Sequence, residues 1–238
     1  MCGRFILIDV TELGVRFRVQ VTGETAPLQR FNIAPTQLIR TITNEYGTRR
    51  AEDMRWGLIP AWAKFPNQIR SSFNARDDKV ANSGLWKRPF ARTRCLIPAN
   101  GFYEWTGPKG DRKPHLIQLK GGGLLGFAGL FDTWQNKETG ETVRSCAIIT
   151  TGPNSLMEPI HDRMPVILDA EAESLWLDPE TEDPSRLTAL LQPYPAEEMK
   201  AYEVSPIVNS ARGDSPEMIQ QVDVKEPVQT RQFGFSID

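Results

Sequence analysis

The sequence predicts a strand-dominated α+β fold, with a barrel-like antiparallel sheet as its core and a few flanking helices. Short apolar, β-branched runs separated by turn signals occur along most of the 238 residues, which is typical of antiparallel sheet. Helical patterns are few and do not alternate with the strands, which argues against a parallel βαβ fold. The strands follow each other closely enough to curl into a barrel, although periodicity alone leaves an open sheet as an alternative.

The predicted strands begin with a hairpin across residues 36–58, where two β-rich runs flank the turn sequence NEYG. Runs of strand-like length then follow in the order RCLIPA, GFYEWT, HLIQL, LLGFAGLFDTW, VRSCAIITT and MPVILD. The segment PKGDRK, at 108–113, carries a Gly-Asp pair that predicts a hairpin loop. These runs account for most of the predicted sheet.

Three short helices are predicted beside the strands. Residues 10–18 form the first of them. Asp169 is the expected N-cap of DAEAESLWL, which has acidic residues in its first turn. Asp183 is the expected N-cap of DPSRLTALL, where Pro184 takes the first helical position.

Composition and charge both change along the chain. From about residue 211 it is rich in Gly, Pro and Gln, so we predict one domain over 1–210 and a loosely ordered tail over 211–238. Residues 1–115 hold 19 lysines and arginines against 10 acidic residues, whereas residues 116–238 hold 9 against 20. A basic front half favours a polyanion-binding surface, and chance drift without a functional face is the alternative.

The composition is that of an ordinary globular protein, with 39% hydrophobic and 24% charged residues. No stretch approaches the roughly 18–20 apolar residues of a membrane span, and residues 5–21 carry charges unlike those of a signal peptide. Cys2, Cys95 and Cys146 form no CxxC pair, which argues against a disulfide framework and a zinc site. We therefore expect a soluble cytoplasmic protein without a membrane segment, metal or cofactor.

The first residues, MCGRF, place a cysteine directly behind the start methionine. A small second residue normally allows an aminopeptidase to remove Met1. Cys2 would then present a free α-amine and a thiol on adjacent carbons, a pair of nucleophiles that no other residue offers. The sequence therefore predicts Cys2 as a candidate nucleophile.

Two ionisable residues are candidates for acid–base chemistry. Glu104 lies among aromatic residues in NGFYEWT, and strand alternation puts it on the same face as Phe102. Such surroundings raise a carboxyl pKa, although a glutamate on the wet face of the strand is an equal alternative. His161 lies just before a predicted strand, between charged residues, and a structural histidine is its alternative.

Several polar and aromatic residues are candidates for ligand contacts. Asn74 and Arg76 share one face of an extended segment and suit a hydroxyl or phosphate ligand. Trp56 and Trp62 lie near basic residues and could stack on nucleic-acid bases, although tryptophan is more often a core residue. Arg88 belongs to the basic stretch KRPFARTRC, which suits phosphate contacts.

In this order along the chain, MCGRF, FNIAP, RWGLIPAW, FNAR, RCLIPANGFYEW, FAGLFDTW and IHDRMPVIL resemble the SOS response-associated peptidase (SRAP) family. The resemblance extends from residue 2 to about 210, and the combination of blocks is highly specific. One block departs from the family, because this chain reads NARDDK where the family usually reads NARxET. Asp77 or Asp78 takes the place of the family's acid, and neither is assigned a catalytic role.

The resemblance implies a monomeric protein that shields abasic sites in single-stranded DNA through a covalent crosslink. It would act in the cytoplasm, at the nucleoid if the source is bacterial. It implies a catalytic set of Cys2, Asn74, Glu104 and His161. The DNA-binding set would comprise Arg4, Asn32, Trp56, Trp62, Arg76, Arg88 and Arg163.

The implied chemistry needs an N-terminal cysteine. An α-amine with a pKa of roughly 7.7–8.0 is partly neutral near pH 7.5 and can attack the aldehyde of an abasic sugar. The neighbouring thiol can then close a five-membered thiazolidine. In this scheme Glu104 shuttles the proton that opens the sugar ring, His161 protonates the leaving hydroxyl, and Asn74 orients the amine or the sugar. Strand cleavage by β-elimination and removal of Met1 by the protein itself are associated activities.

Three other functions remain as alternatives. An N-terminal-nucleophile hydrolase can also begin with Met-Cys-Gly, but the Asn-Gly and Gly-Asp blocks of glutamine amidotransferases are not found. A non-catalytic DNA-binding module would leave Cys2 incidental. A thiol protease built on Cys2 and His161 is the weakest of the three.

Overall fold

A computed structural model of the chain describes residues 2–21, 29–45, 47–69 and 72–222. The strands within these ranges are β1 (Phe5–Leu7), β2 (Gln20–Val21), β3 (Arg30–Ile33), β4 (Leu38–Glu45), β5 (Thr48–Trp56), β6 (Asn74–Arg76), β7 (Arg94–Ala99), β8 (Gly101–Thr106), β9 (Lys113–Leu119), β10 (Leu125–Gln135), β11 (Thr142–Thr151), β12 (Met164–Pro165), β13 (Ile167–Leu168) and β14 (Met199–Glu203). The helices are α1 (Leu13–Phe17), α2 (Asp77–Val80), α3 (Lys87–Arg92), α4 (Ala170–Leu177) and α5 (Pro184–Ala189). The predicted strand-dominated α+β class is confirmed.

Five strands close into a barrel in the order β11–β10–β7–β4–β5, and β5 returns to pair with β11. All neighbours are antiparallel except this closing pair, which is parallel and sets Ser145 opposite Arg55. The predicted 36–58 hairpin forms β4 and β5. The barrel-like core is therefore confirmed, with one parallel seam that the prediction did not contain.

The barrel interior is tightly packed at Gly129, in the middle of β10. A Cβ added there would lie 2.8 Å from the Cys95 sulfur and 2.9 Å from Cδ1 of Ile97. Both distances are shorter than packed carbon and sulfur atoms tolerate, so only glycine fits between the two side chains. Cys95 and Cys146 are free, buried thiols of this interior.

A second antiparallel sheet, in the order β14–β9–β8–β1–β3, lies beside the barrel. Only Asn100 separates β7 of the barrel from β8 of this sheet, and its side-chain oxygen accepts from the backbone N–H groups of Ile8 and Asp9. Phe5 of β1 pairs with Phe102 of β8. This register brings the N-terminal residues next to the strand that carries Glu104.

The predicted helix caps are confirmed. Asp169 accepts a hydrogen bond from the N–H of Ala172 at the start of α4, and Asp183 accepts from the N–H of Ser185 at the start of α5. The sequence prediction missed α2 and α3, and α3 occupies part of the stretch taken for a phosphate-binding segment. Among the described residues, no helix has the length and apolar character needed to cross a bilayer.

The C-terminal segment, defined here as residues 205–222, packs against the second sheet. Met218 is buried, Val204 and Gln221 form a β-bridge, and Asp214 pairs with Arg30 at 2.5 Å. Residues 211–222 of the predicted tail are therefore held by side-chain and backbone contacts, and the division into a domain over 1–210 and a tail over 211–238 stays a prediction. The rest of the predicted tail, 223–238, lies outside the described residues.

Candidate active site

Cys2 lies just before β1 and is fully buried. The side-chain amide of Asn74 donates a hydrogen bond of 2.7 Å to its carbonyl oxygen, and its sulfur lies 3.9 Å from the carbonyl oxygen of Arg4. Burial raises the pKa of the Cys2 thiol far above its usual value, and the Glu104 carboxylate adds to this effect. The sulfur is therefore a neutral thiol at neutral pH.

Asn74 reaches Cys2 from β6, which pairs in parallel with β11. Its side-chain oxygen is buried and has no hydrogen-bond partner in the described part of the chain. A buried amide oxygen without a partner costs free energy unless a ligand or a further donor supplies one. Asn74 therefore fixes the Cys2 backbone with one end and offers an acceptor with the other.

Glu104 projects from β8 and is only 2% exposed. The alternative of a wet-face glutamate is wrong, because the side chain is buried. The predicted alternation is seen in the neighbours of Glu104, since Phe102 packs in one hydrophobic cluster and Tyr103 and Trp105 pack in another. Burial raises the pKa of Glu104 to about 7. Near neutral pH the carboxyl group is therefore close to half protonated, a state that allows it to give and to take a proton.

His161 faces Glu104, with its Nε2 atom 3.8 Å from a carboxylate oxygen. Its Nδ1 atom accepts a hydrogen bond of 3.0 Å from the backbone N–H of Arg163, so the neutral ring carries its proton on Nε2. The Asp162 carboxylate also lies 2.9 Å from Nδ1, a contact that would favour a protonated ring. Burial lowers the pKa of His161, and Asp162 is largely in solvent, so the neutral ring with its proton towards Glu104 is the main form.

A cleft of about 550 Å³ begins at the residues that directly follow Cys2 and Glu104 in the chain. It is lined by Gly3, Arg4, Trp105, Lys109, Gly110, Arg112 and Asn209. It combines three cationic side chains with an indole, which are the groups that hold phosphates and stack on bases. The sequence prediction missed Trp105, Lys109, Arg112 and Asn209. One signal was available, because the PKGDRK loop is basic.

Arg4 is held at the wall of this cleft by several acceptors. One of its terminal nitrogens donates to the Asn32 side-chain oxygen and to the Val208 carbonyl, each at 2.7 Å, and the other donates to the Asn209 carbonyl. Asn32 is itself buried and donates to two carbonyls of the C-terminal segment. Its amide groups thus fix Arg4 and that segment, and its direct contact with DNA stays a prediction.

Two more of the residues predicted to contact DNA are buried. Trp56 is completely buried, packs edge-on against Phe5 at 5.2 Å, and donates its indole N–H to the carbonyl of Phe73. Arg163 is about nine-tenths buried and pairs with Asp77 at 2.7 Å. Neither side chain is presented to a polymer in solution.

The remaining predicted DNA contacts are on the surface. Arg76 is half-exposed and pairs with Asp78, while Arg88 pairs with the buried carboxylate of Asp132. Trp62 is 56% exposed and lines a second cleft of about 460 Å³ that shares no lining residue with the first. Across the described ranges, no three His, Cys, Asp or Glu residues cluster closely enough to hold a metal ion.

Comparison with known proteins gives concordant matches. The family model described as SOS response associated peptidase (SRAP) matches residues 1–211. The abasic site processing protein YoqW of Bacillus subtilis strain 168 is 44% identical over 226 residues, which cover 92% of this chain and 99% of that protein. The abasic site processing protein HMCES of Xenopus tropicalis is 37% identical over 191 residues, covering 71% of this chain and 56% of that protein.

Solved structures show the same fold. A crystal structure of a protein from Bacteroides thetaiotaomicron superposes with a TM-score of 0.84 at 26% identity, covering 93% of this chain and all of that one. A crystal structure of a protein from Bordetella bronchiseptica gives a TM-score of 0.74 at 26% identity, covering 86% of this chain and all of that one. The barrel and its neighbouring sheet are therefore a fold shared with these proteins.

Proposed function

This chain belongs to the SOS response associated peptidase (SRAP) family, and we propose that it shields abasic sites in single-stranded DNA through a covalent thiazolidine at Cys2. The similar proteins YoqW and HMCES are both named abasic site processing proteins. The observation that carries the proposal is the grouping of Cys2, Asn74, Glu104 and His161 beside a basic, tryptophan-lined cleft.

The reaction begins when removal of Met1 frees the α-amine of Cys2. The amine attacks the aldehyde carbon C1′ of the ring-opened abasic sugar, and the resulting carbinolamine loses water to give a Schiff base. Here Glu104 takes the role that the sequence scheme gave to His161: its pKa of about 7 leaves it partly protonated, so it donates a proton to the departing hydroxyl. His161 carries its Nε2 proton towards Glu104 and can restore that proton.

The thiol then completes the crosslink. Its sulfur adds to the imine carbon and its proton passes to the nitrogen, which closes the five-membered ring without an oxidant or reductant. A neutral thiol supplies both the sulfur that adds to the carbon and the proton that passes to the nitrogen. The buried oxygen of Asn74 can accept a hydrogen bond from the amine during the attack.

The cleft residues provide the DNA-binding surface of the proposal. A base next to the lesion stacks on Trp105, and Arg4, Lys109 and Arg112 contact the phosphates. Arg76 is exposed and can exchange Asp78 for a phosphate. Trp62 and Arg88 extend the contact along a second part of the strand.

Strand cleavage and hydrolysis are secondary parts of the proposal. The Schiff base acidifies C2′ of the sugar, so β-elimination competes until the thiol closes the ring. Removal of Met1 by the protein itself would require a nucleophile at the peptide bond before Cys2. The raised pKa of Cys2 argues for an amine-first crosslink over a thiol-first hydrolase, because hydrolases of that type lower the pKa of their thiol.

Intact mass spectrometry of the protein with an abasic single-stranded oligonucleotide tests the proposal. The expected species lacks Met1 and has gained the mass of the oligonucleotide less one water. The matched control is the same oligonucleotide with its aldehyde reduced to an alcohol, which should add no mass. A protein that lacks Met1 and forms no adduct with the unreduced oligonucleotide contradicts the proposal.

A further inference from the structure

Three donors converge on the carboxylate of Asp77, directly after β6. The guanidinium of Arg163 donates at 2.7 Å, the hydroxyl of Thr151 at 2.8 Å, and the backbone N–H of Asp78 at 2.8 Å. These donors come from the loop after His161, from the end of β11 and from the start of α2. Asp77 therefore ties the strand that carries Asn74 to the loop that carries His161.

Arg163 connects Asp77 with His161, because its side chain contacts the first and its backbone contacts the second. Its side chain is about nine-tenths buried and also donates to the carbonyl and the hydroxyl of Thr150. Its backbone N–H donates to Nδ1 of His161. Because one residue makes both contacts, fixing the guanidinium also fixes this N–H. The N–H acts against the exposed Asp162 carboxylate, 2.9 Å from Nδ1, and favours an unprotonated Nδ1 with the Nε2 proton towards Glu104.

We propose that Asp77 is a positioning residue, which acts through Arg163 to select the Nε2-protonated tautomer of His161 and to hold the ring against Glu104. The effect on the crosslinking rate rests on the proposed function, but the effect on the tautomer does not. Loss of the charge leaves a buried guanidinium with only neutral acceptors, so the loop is expected to shift. Asp78 has the same charge one residue away but pairs with Arg76, which makes it a matched control.

The tautomer is measured directly by long-range 1H–15N correlation spectra of protein labelled at histidine nitrogens, at about pH 8, where an imidazole of ordinary pKa is neutral. The chain contains two histidines, His115 and His161, so the spectrum of a His161→Ala variant assigns both. In the parent protein His161 should show the Nε2-protonated pattern. Asp77→Asn should give a mixture of tautomers at His161, whereas Asp77→Glu and Asp78→Asn should keep the parent pattern.

Arg163→Lys is a second variant, should Asp77→Asn fail to fold. An ammonium group cannot bond a carboxylate and a carbonyl in the planar geometry of a guanidinium, so mixed tautomers are expected here too. With the proposed function in place, Asp77→Asn should also slow crosslinking by roughly ten- to a hundredfold, the cost of a misplaced catalytic group. A parent tautomer pattern in the folded Asp77 and Arg163 variants overturns the inference, and a parent protein that forms no crosslink overturns only the proposed function.

Discussion

At the scale of single residues, burial changes the pKa of two groups of the site, the Glu104 carboxyl and the Cys2 thiol. Glu104 and Cys2 are both inside the protein, and burial raises the pKa of each. The carboxyl reaches a pKa of about 7 and becomes an acid–base group for neutral pH, whereas the thiol is kept neutral until an electrophile is present. These two shifts support the proposal that the amine is the first nucleophile.

The raised pKa of Glu104 predicts a pH-dependent cost to folding. Because the folded protein binds this proton more tightly than the unfolded chain does, stability due to this group is present below about pH 4.5 and is lost as the pH rises through about 7. Glu104→Gln should therefore gain stability relative to the parent between these values, by up to about 3 kcal/mol. Urea unfolding of both proteins at pH 5 and pH 8 measures this, and an unchanged difference between them contradicts the shift.

Proton transfer by Glu104 and His161 predicts a kinetic effect. Glu104→Gln and His161→Ala should each slow crosslinking by roughly a hundred- to ten-thousandfold, the usual range for general acid–base groups. Gln118→Ala, on the neighbouring strand β9, is a control that leaves both groups in place. Quenched time courses with an abasic oligonucleotide give the rates, and values within twofold of the parent would make both residues structural.

At the scale of elements, the site depends on segments that are distant in sequence. β1 brings Cys2, β6 brings Asn74 and β8 brings Glu104, while the C-terminal segment fixes Arg4 through backbone carbonyls. Strand alternation predicted the face of Glu104, and capping patterns predicted the helices after Asp169 and Asp183, because these signals are local. The packing of the C-terminal segment was missed because its contacts are non-local.

Met218 anchors the C-terminal segment in a cluster with Tyr103 and Leu116. Met218→Ala should lower the free energy of unfolding by about 2–5 kcal/mol, as expected for a truncated core side chain. Ile207→Ala, in the same segment but 46% exposed, should change it by no more than about 0.5 kcal/mol. Denaturant titrations of both variants measure these free energies. An equal decrease in the two variants would mean that Met218 does not anchor the segment.

At the scale of the whole molecule, the cationic residues of the cleft all come from the basic first half of the chain. Arg4, Lys109 and Arg112 lie among residues 1–115, which carry 19 of the 28 lysines and arginines. The charge imbalance predicts a polyanion-binding surface but does not identify which basic residues line the cleft. The burial of Arg163 could not be read from the sequence, because its partner, Asp77, lies 86 residues away. The sequence also left the burial of Trp56 undecided, because its motif shows no periodicity that separates core from surface.

The composition of the cleft predicts separable effects on DNA binding. Arg112→Ala should make the slope of log affinity against log salt shallower by about 0.7, as for one phosphate contact on a single strand. Trp105→Ala should weaken binding by about 1–3 kcal/mol with an unchanged slope, since stacking releases no counterion. Fluorescence titrations over a salt series measure both, and identical changes in the two variants contradict the division of roles.

In the proposed mechanism the amine of Cys2 attacks first and the thiol then closes the ring. Cys2→Ser separates the two groups, because serine is small enough for Met1 removal, which intact mass verifies. Serine keeps the amine, while its hydroxyl is a far weaker nucleophile than a thiol. The variant should form a Schiff base that borohydride traps, should yield little heat-stable adduct without reductant, and should nick abasic single strands more than the parent does. A heat-stable crosslink from the serine variant without reductant would contradict thiazolidine closure, and a variant without Met1 that neither traps nor nicks would contradict attack by the amine.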